Sequence, residues 1–104
     1  FIGQGRTQNK YTMYADSIPY VCEQPQTSYI YGELYLVNDD ILQALDQLEE
    51  HPFFYERKEI SVLVEGKICQ AWMYFCHHPS GSLVPDGVFI EGETGGRKDG
   101  KLGR

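Results

Sequence analysis

YGELYLVNDDILQALDQLEEHPFFYER, residues Tyr31 to Arg57, holds a strand, a helix and the start of a second strand in one run. Its front belongs to YIYGELYLV, Tyr29 to Val37, whose aromatic and branched residues suit a strand. Gly32 inside that segment marks a bulge or a close backbone approach. Asn38-Asp39-Asp40 then offers an acceptor for the first free amides of a helix, and negative charge at its positive end. ILQALDQLEE repeats apolar residues at helical spacing, and His51-Pro52 stops it, because a residue before proline avoids helical geometry.

The helix poses a problem at its end. With Ile41 at zero and about 100° per residue, Leu42 falls near 100°, Leu45 near 40° and Leu48 near −20°. Glu49 lands at about 80°, inside this apolar arc, whereas Gln43, Asp46, Gln47 and Glu50 fall outside it. Glu50 should face solvent and Glu49 should point inward. Burial disfavours a charged carboxylate, and the negative end of the helix dipole acts in the same direction. A carboxylate in such a setting suits a general base. The competing reading is structural: the last turn frays and Glu49 swings into water, or it pairs with Arg57 or Lys58.

Working outward, FIGQGRT reads as a strand, and KYTMYA alternates Tyr11, Met13 and Ala15 against Thr12 and Tyr14. Pro19 and Pro25 point to loop or edge structure. On the other side, YERKEISVLV and KICQAWMYFC read as two strands joined by a turn at Glu65-Gly66, which makes a hairpin. Residues 1–91 form one domain, and the glycine-rich residues 92–104 form a flexible tail. Several strands around one helix define the α+β class.

Composition narrows the function. A formal net charge of −6 opposes binding to nucleic acid or to an anionic membrane surface. No apolar run approaches the roughly 20 residues of a membrane span. Three cysteines, an odd number at irregular spacing, suggest free thiols and a cytoplasmic protein. Cys69, Cys76, His77 and His78 raise the idea of zinc or of a thiol nucleophile. Their spacing fits no common zinc pattern, Cys69 and Cys76 fall on opposite faces of a regular strand, and nothing signals a lowered thiol pKa. Tyr31, Tyr35, Tyr55, Trp72 and Tyr74 are each either core residues or the lining of a pocket.

Four motifs in order carry a resemblance to a known family. They are Tyr31-Gly32-Glu33-Leu34-Tyr35, then Leu45-Asp46-Gln47-Leu48-Glu49, then Pro52 to Tyr55, then Ala71-Trp72-Met73-Tyr74. Together, across Phe1 to Phe75, they resemble the γ-glutamylcyclotransferase superfamily, the AIG2-like group, and within it the γ-glutamylamine cyclotransferase-like branch. The resemblance implies a small, mixed, barrel-like β-sheet with one main helix. It implies a transferase or lyase that converts a γ-glutamyl amine or peptide to 5-oxoproline and free amine, without metal or cofactor. The family's catalytic glutamate closes the LDxxE motif, which makes Glu49 the implied acid/base. Tyr55 and Trp72, and the Tyr31-Gly32 pair, are the implied substrate-binding positions.

Two departures from the pattern stand out. The family's early YGxL loop, whose backbone amides cradle the substrate, has no counterpart ahead of Phe1-Ile2-Gly3. Glu50 stands where glycine is common. Two readings follow: a cyclotransferase whose loop precedes Phe1 or is replaced, and a non-catalytic or truncated domain of the same fold that binds a small ligand or a protein. A sheet edge left open by a missing first strand would favour a homo-oligomer.

Overall fold

The structure is a computed structural model, and it describes residues 2–89. The tail at 92–104 lies outside those residues.

Among the described residues, seven strands and one helix run in the order β1 (Gly3–Thr7), β2 (Thr12–Ala15), β3 (Pro19–Cys22), β4 (Tyr31–Leu34), α1 (Asp39–Leu48), β5 (Tyr55–Val64), β6 (Lys67–Cys76) and β7 (Ser82–Val84). They build two sheets, ordered β4-β1-β5-β6 and β3-β2-β7, and each ladder between strands is antiparallel. The expected α+β architecture is therefore present: one helix and a curled, half-barrel arrangement of strands.

Local chemistry explains most boundaries. Glu65 and Gly66 both have positive φ, 51° and 77°, as the tight turn of a two-residue hairpin requires. That turn sets a ten-pair register running from Val64↔Lys67 to Tyr55↔Cys76. Pro19 opens β3, and β3 is an edge strand, where proline's missing donor does least harm. β7 has only three residues and carries no pattern visible in the sequence.

Two expectations change. The Tyr29–Val37 segment contributes a strand of only four residues, Tyr31–Leu34. Gly32 is no bulge either, for the β1–β4 register is unbroken and sets Gly32 opposite Gly5. A different glycine is compelled by its surroundings. Gly87 has φ 69°, and a Cβ there would lie 1.8 Å from the Tyr29 carbonyl oxygen. Its own carbonyl accepts from the Tyr31 amide at 3.0 Å, which fastens the loop after β7 to the start of β4.

The core lies between the sheets. Tyr11, Met13 and Val21 from one side meet Leu34, Ile60, Val62, Ala71, Met73 and Phe75 from the other, with Ile30 between. Tyr11 and Phe75 rings meet at 5.0 Å, tilted by 57°. The buried Thr7 hydroxyl is fully used: it accepts from the Ile30 amide and donates to the Asn9 carbonyl. Among the described residues no helix is long and apolar enough to cross a membrane.

Candidate active site

Side chains alternate between the faces of β5 and β6. One face carries Ile60, Val62, Ala71, Met73 and Phe75 into the core. The other carries Tyr55, Arg57 and Glu59, each directly opposite Cys76, Tyr74 and Trp72. Helix α1 stands over this second face.

Asn38 starts the helix as expected, its Oδ1 accepting from the Ile41 amide at 2.8 Å. The end is a complete Schellman closure. The Glu50 amide donates to the Gln47 carbonyl at 3.2 Å, and the His51 amide donates to the Asp46 carbonyl at 2.9 Å. Glu50 holds the left-handed turn residue, with φ 54°. Glycine does this without a Cβ penalty, so the departure at Glu50 has a local meaning.

No residue within α1 itself is buried, yet its C-cap, Glu49, is only 4% exposed. The helix therefore does not fray to release Glu49 into water. The guanidinium of Arg57 takes Asp46, and the ammonium of Lys58 takes Glu23. Glu49 sits beside Cys76. Burial pushes the Cys76 thiol up; hydrogen bonds from the His78 backbone and the Tyr55 side chain oppose this, while the Glu49 charge adds to it. Glu49, Tyr55 and Cys76 thus share one small neighbourhood at the open end of the β5–β6 hairpin.

The helical wheel needs one correction. Its inward sector is centred nearer Glu49 than Ile41: Leu42 and Leu45 are half-buried, while Ile41 and Leu48 are 46% and 63% exposed. The sector consequently takes in Asp46, which the sequence places outside the apolar arc. Asp46 Oδ1 accepts from Arg57 Nε at 2.8 Å and from the Tyr74 hydroxyl at 2.5 Å, and Oδ2 accepts from Arg57 Nη2 at 3.0 Å. Desolvation, the largest single influence, works to raise the Asp46 pKa. The bonds from Arg57 and Tyr74, with the charges of Arg57 and His51, outweigh it and hold the carboxyl below the usual range.

The remaining site residues separate into two places. Trp72 lies beneath the guanidinium of Arg57, 4.2 Å from it, on the same face as Tyr55. The Tyr55 and Tyr74 rings meet edge to face at 6.5 Å. Tyr31 and Gly32 sit on β4, with β1 between that strand and β5, and Tyr31 is 43% exposed. Sequence reasoning missed Asp46, although its place as the aspartate of the LDxxE motif was a signal; it weighed Arg57 only as a partner of Glu49, and Cys76 only as a zinc ligand or thiol nucleophile. Cys69 packs against the core while Cys76 lies on the other face, so the two thiols do point apart. Among the described residues no three His, Cys, Asp or Glu side chains gather as a metal site would require.

Comparison with known proteins agrees with this fold. A protein of Methanocaldococcus jannaschii bearing the name putative gamma-glutamylcyclotransferase is 46% identical over 90 residues, covering 86% of this chain and 75% of the relative. Gamma-glutamylaminecyclotransferase A of Danio rerio is 34% identical over 81 residues, 71% of this chain but 50% of that protein. The chain thus spans about three-quarters of one relative and half of the other. The crystal structure of a mouse AIG2-like protein superimposes with a TM-score of 0.74 at 26% identity, over 92% of this chain and 74% of that one. The model of the gamma-glutamyl cyclotransferase, AIG2-like family matches residues 1–91, and the chain belongs to that family.

Proposed function

We propose that the protein releases 5-oxoproline from a γ-glutamyl amine or peptide, with Glu49 as the general acid/base. The observation that carries this reading is the burial of Glu49 at the end of a helix whose own residues are at most half-buried. Taking a carboxylate out of water is costly, and active sites are where such groups are retained.

In this reading Glu49 takes a proton from the substrate's α-ammonium. The freed amine attacks the γ-carbonyl carbon, forming the ring C–N bond and an oxyanion that backbone amides stabilise. Collapse of the oxyanion breaks the original γ-amide bond as Glu49 gives its proton to the departing nitrogen, and the ring nitrogen passes its second proton through Glu49 to the released amine, leaving 5-oxoproline and an ammonium ion. Nucleophile and electrophile belong to one molecule, so holding the substrate folded supplies much of the acceleration. Tyr55 and Trp72, which share a face of the hairpin, would line the substrate. Tyr31 and Gly32 would contribute from a separate strand. The three cysteines are free thiols, which suits a reducing compartment such as the cytoplasm.

The test is release of 5-oxoproline from a panel of γ-glutamyl amines and dipeptides by the full-length protein and by Glu49→Gln. Turnover should fall by about 10² to 10⁴ in the variant with the fold retained, the range for losing a general acid/base. A folded parent that turns over none of the panel would favour a ligand-binding domain instead.

A further inference from the structure

We propose that Arg57 is a positioning residue for Glu49, gripping the chain on both sides of it. The proposal rests on the reading of Glu49 as the base.

Three residues before Glu49, the Asp46 carboxylate receives both Nε and Nη2 of Arg57. Two residues after Glu49, the His51 ring accepts from the backbone amide of Arg57, Nδ1 lying 2.9 Å from that nitrogen. One residue of β5 therefore binds both flanks of the helix end, through two chemically separate groups. Because the second bond uses the main chain, it remains available in Arg57→Lys and Arg57→Ala; the first does not in Arg57→Ala.

The guanidinium itself is fixed. It lies 4.2 Å over the Trp72 ring, and Tyr74 donates to the same carboxylate from the neighbouring strand. Lysine cannot reproduce this, having neither a planar fork nor a flat face to stack. The Arg57 and Asp46 side chains are 18% and 20% exposed, a setting in which the cost of desolvating both charges offsets much of their attraction. The pair's contribution is directional. A helix without a buried residue is loosely seated, and a base that must meet one particular proton tolerates little displacement. An error of about 1 Å in such a group can cost 10²-fold in rate.

The experiment compares Arg57→Lys, Arg57→Ala and Asp46→Asn with the full-length parent. Three readouts are taken: kcat and KM for a γ-glutamyl compound that the parent turns over, rescue by methylguanidinium, and amide hydrogen exchange. In Arg57→Lys, kcat should fall about tenfold or more while KM stays within about twofold. Methylguanidinium should restore part of kcat to Arg57→Ala and leave the parent unchanged. The amides of Glu50 and His51 should exchange about tenfold faster, while those of β2 and β3 keep their rates. Full kcat in Arg57→Lys would overturn the proposal, as would faster exchange spread evenly over the whole fold. Should Arg57→Ala fail to fold, Asp46→Asn with the same kinetic and exchange readouts decides. If the parent turns over nothing, the cyclotransferase reading has failed, and the exchange pattern alone then decides whether Arg57 holds the Glu49 segment.

Discussion

The two faces of the β5–β6 hairpin are held by different physics. On the core face, Ile60, Val62, Ala71, Met73 and Phe75 meet the second sheet, and their stabilisation grows with apolar area removed from water. On the helix face, α1 buries none of its own residues and leaves Ile41 and Leu48 largely exposed. It is held instead by an N-cap, a Schellman closure and the Asp46–Arg57–Tyr74 contacts. Area secures the fold; directed bonds place the candidate base. The first kind of attachment tolerates small shifts, and the second does not.

Removing core volume should have the largest effect. Met13 is fully buried, so Met13→Ala should cost about 2–5 kcal/mol in urea unfolding and weaken both faces together. Changes at the helix should be smaller and local. Asn38→Ala removes the N-cap acceptor and should cost about 1 kcal/mol, with faster exchange in α1 before any in β5 or β6. Glu50→Gly relieves a left-handed non-glycine residue and should stabilise by about 1 kcal/mol, read as a rise in Tm.

Acid should separate the faces further. Asp46 is held below the ordinary carboxylate range in the folded state, so its contribution is present above that range. The contribution disappears as pH falls through the folded value. Helix contacts should therefore loosen below about pH 4, while the core amides stay protected; carboxyl NMR combined with hydrogen exchange would show the order.

The smallest effect concerns Cys22, whose thiol is pushed up to about 11 by burial and by Cys76. A raised thiol stays protonated in the fold after the unfolded chain has ionised. Stability should thus decline slightly between the ordinary thiol range and about pH 11. Alkylation of Cys22 at pH 8 should be slow in the native protein and fast in urea.

The sequence made much of this legible. Alternation placed β5 and β6, Asn38 placed the helix start, and helical phase turned Glu49 inward. The four motifs, taken in order, identified the family. What stayed hidden was tertiary. The inward sector of α1 is set by the sheet beneath it, so Asp46 enters that sector and Ile41 leaves it. Arg57 reads as one charge in an alternating strand, and only the register, which sets it opposite Tyr74 with Trp72 two residues along the same face, reveals its partners. The extent of β4 was overread because aromatic residues favour strands wherever they pack, and Tyr35 to Val37 do not join the ladder.

The hairpin turn at Glu65-Gly66 lies far along β5 from the candidate site. It nevertheless decides which side chains look toward Glu49. A slip of one residue in that turn would exchange the faces of a strand, sending Arg57 or Tyr74 toward the hydrophobic interior and Met73 toward the helix. Such a slip would spoil the core at the same moment. Any mutation that misaligns the site through this hairpin therefore also threatens folding, so selection for a stable chain guards the geometry of the site without having to act on it directly.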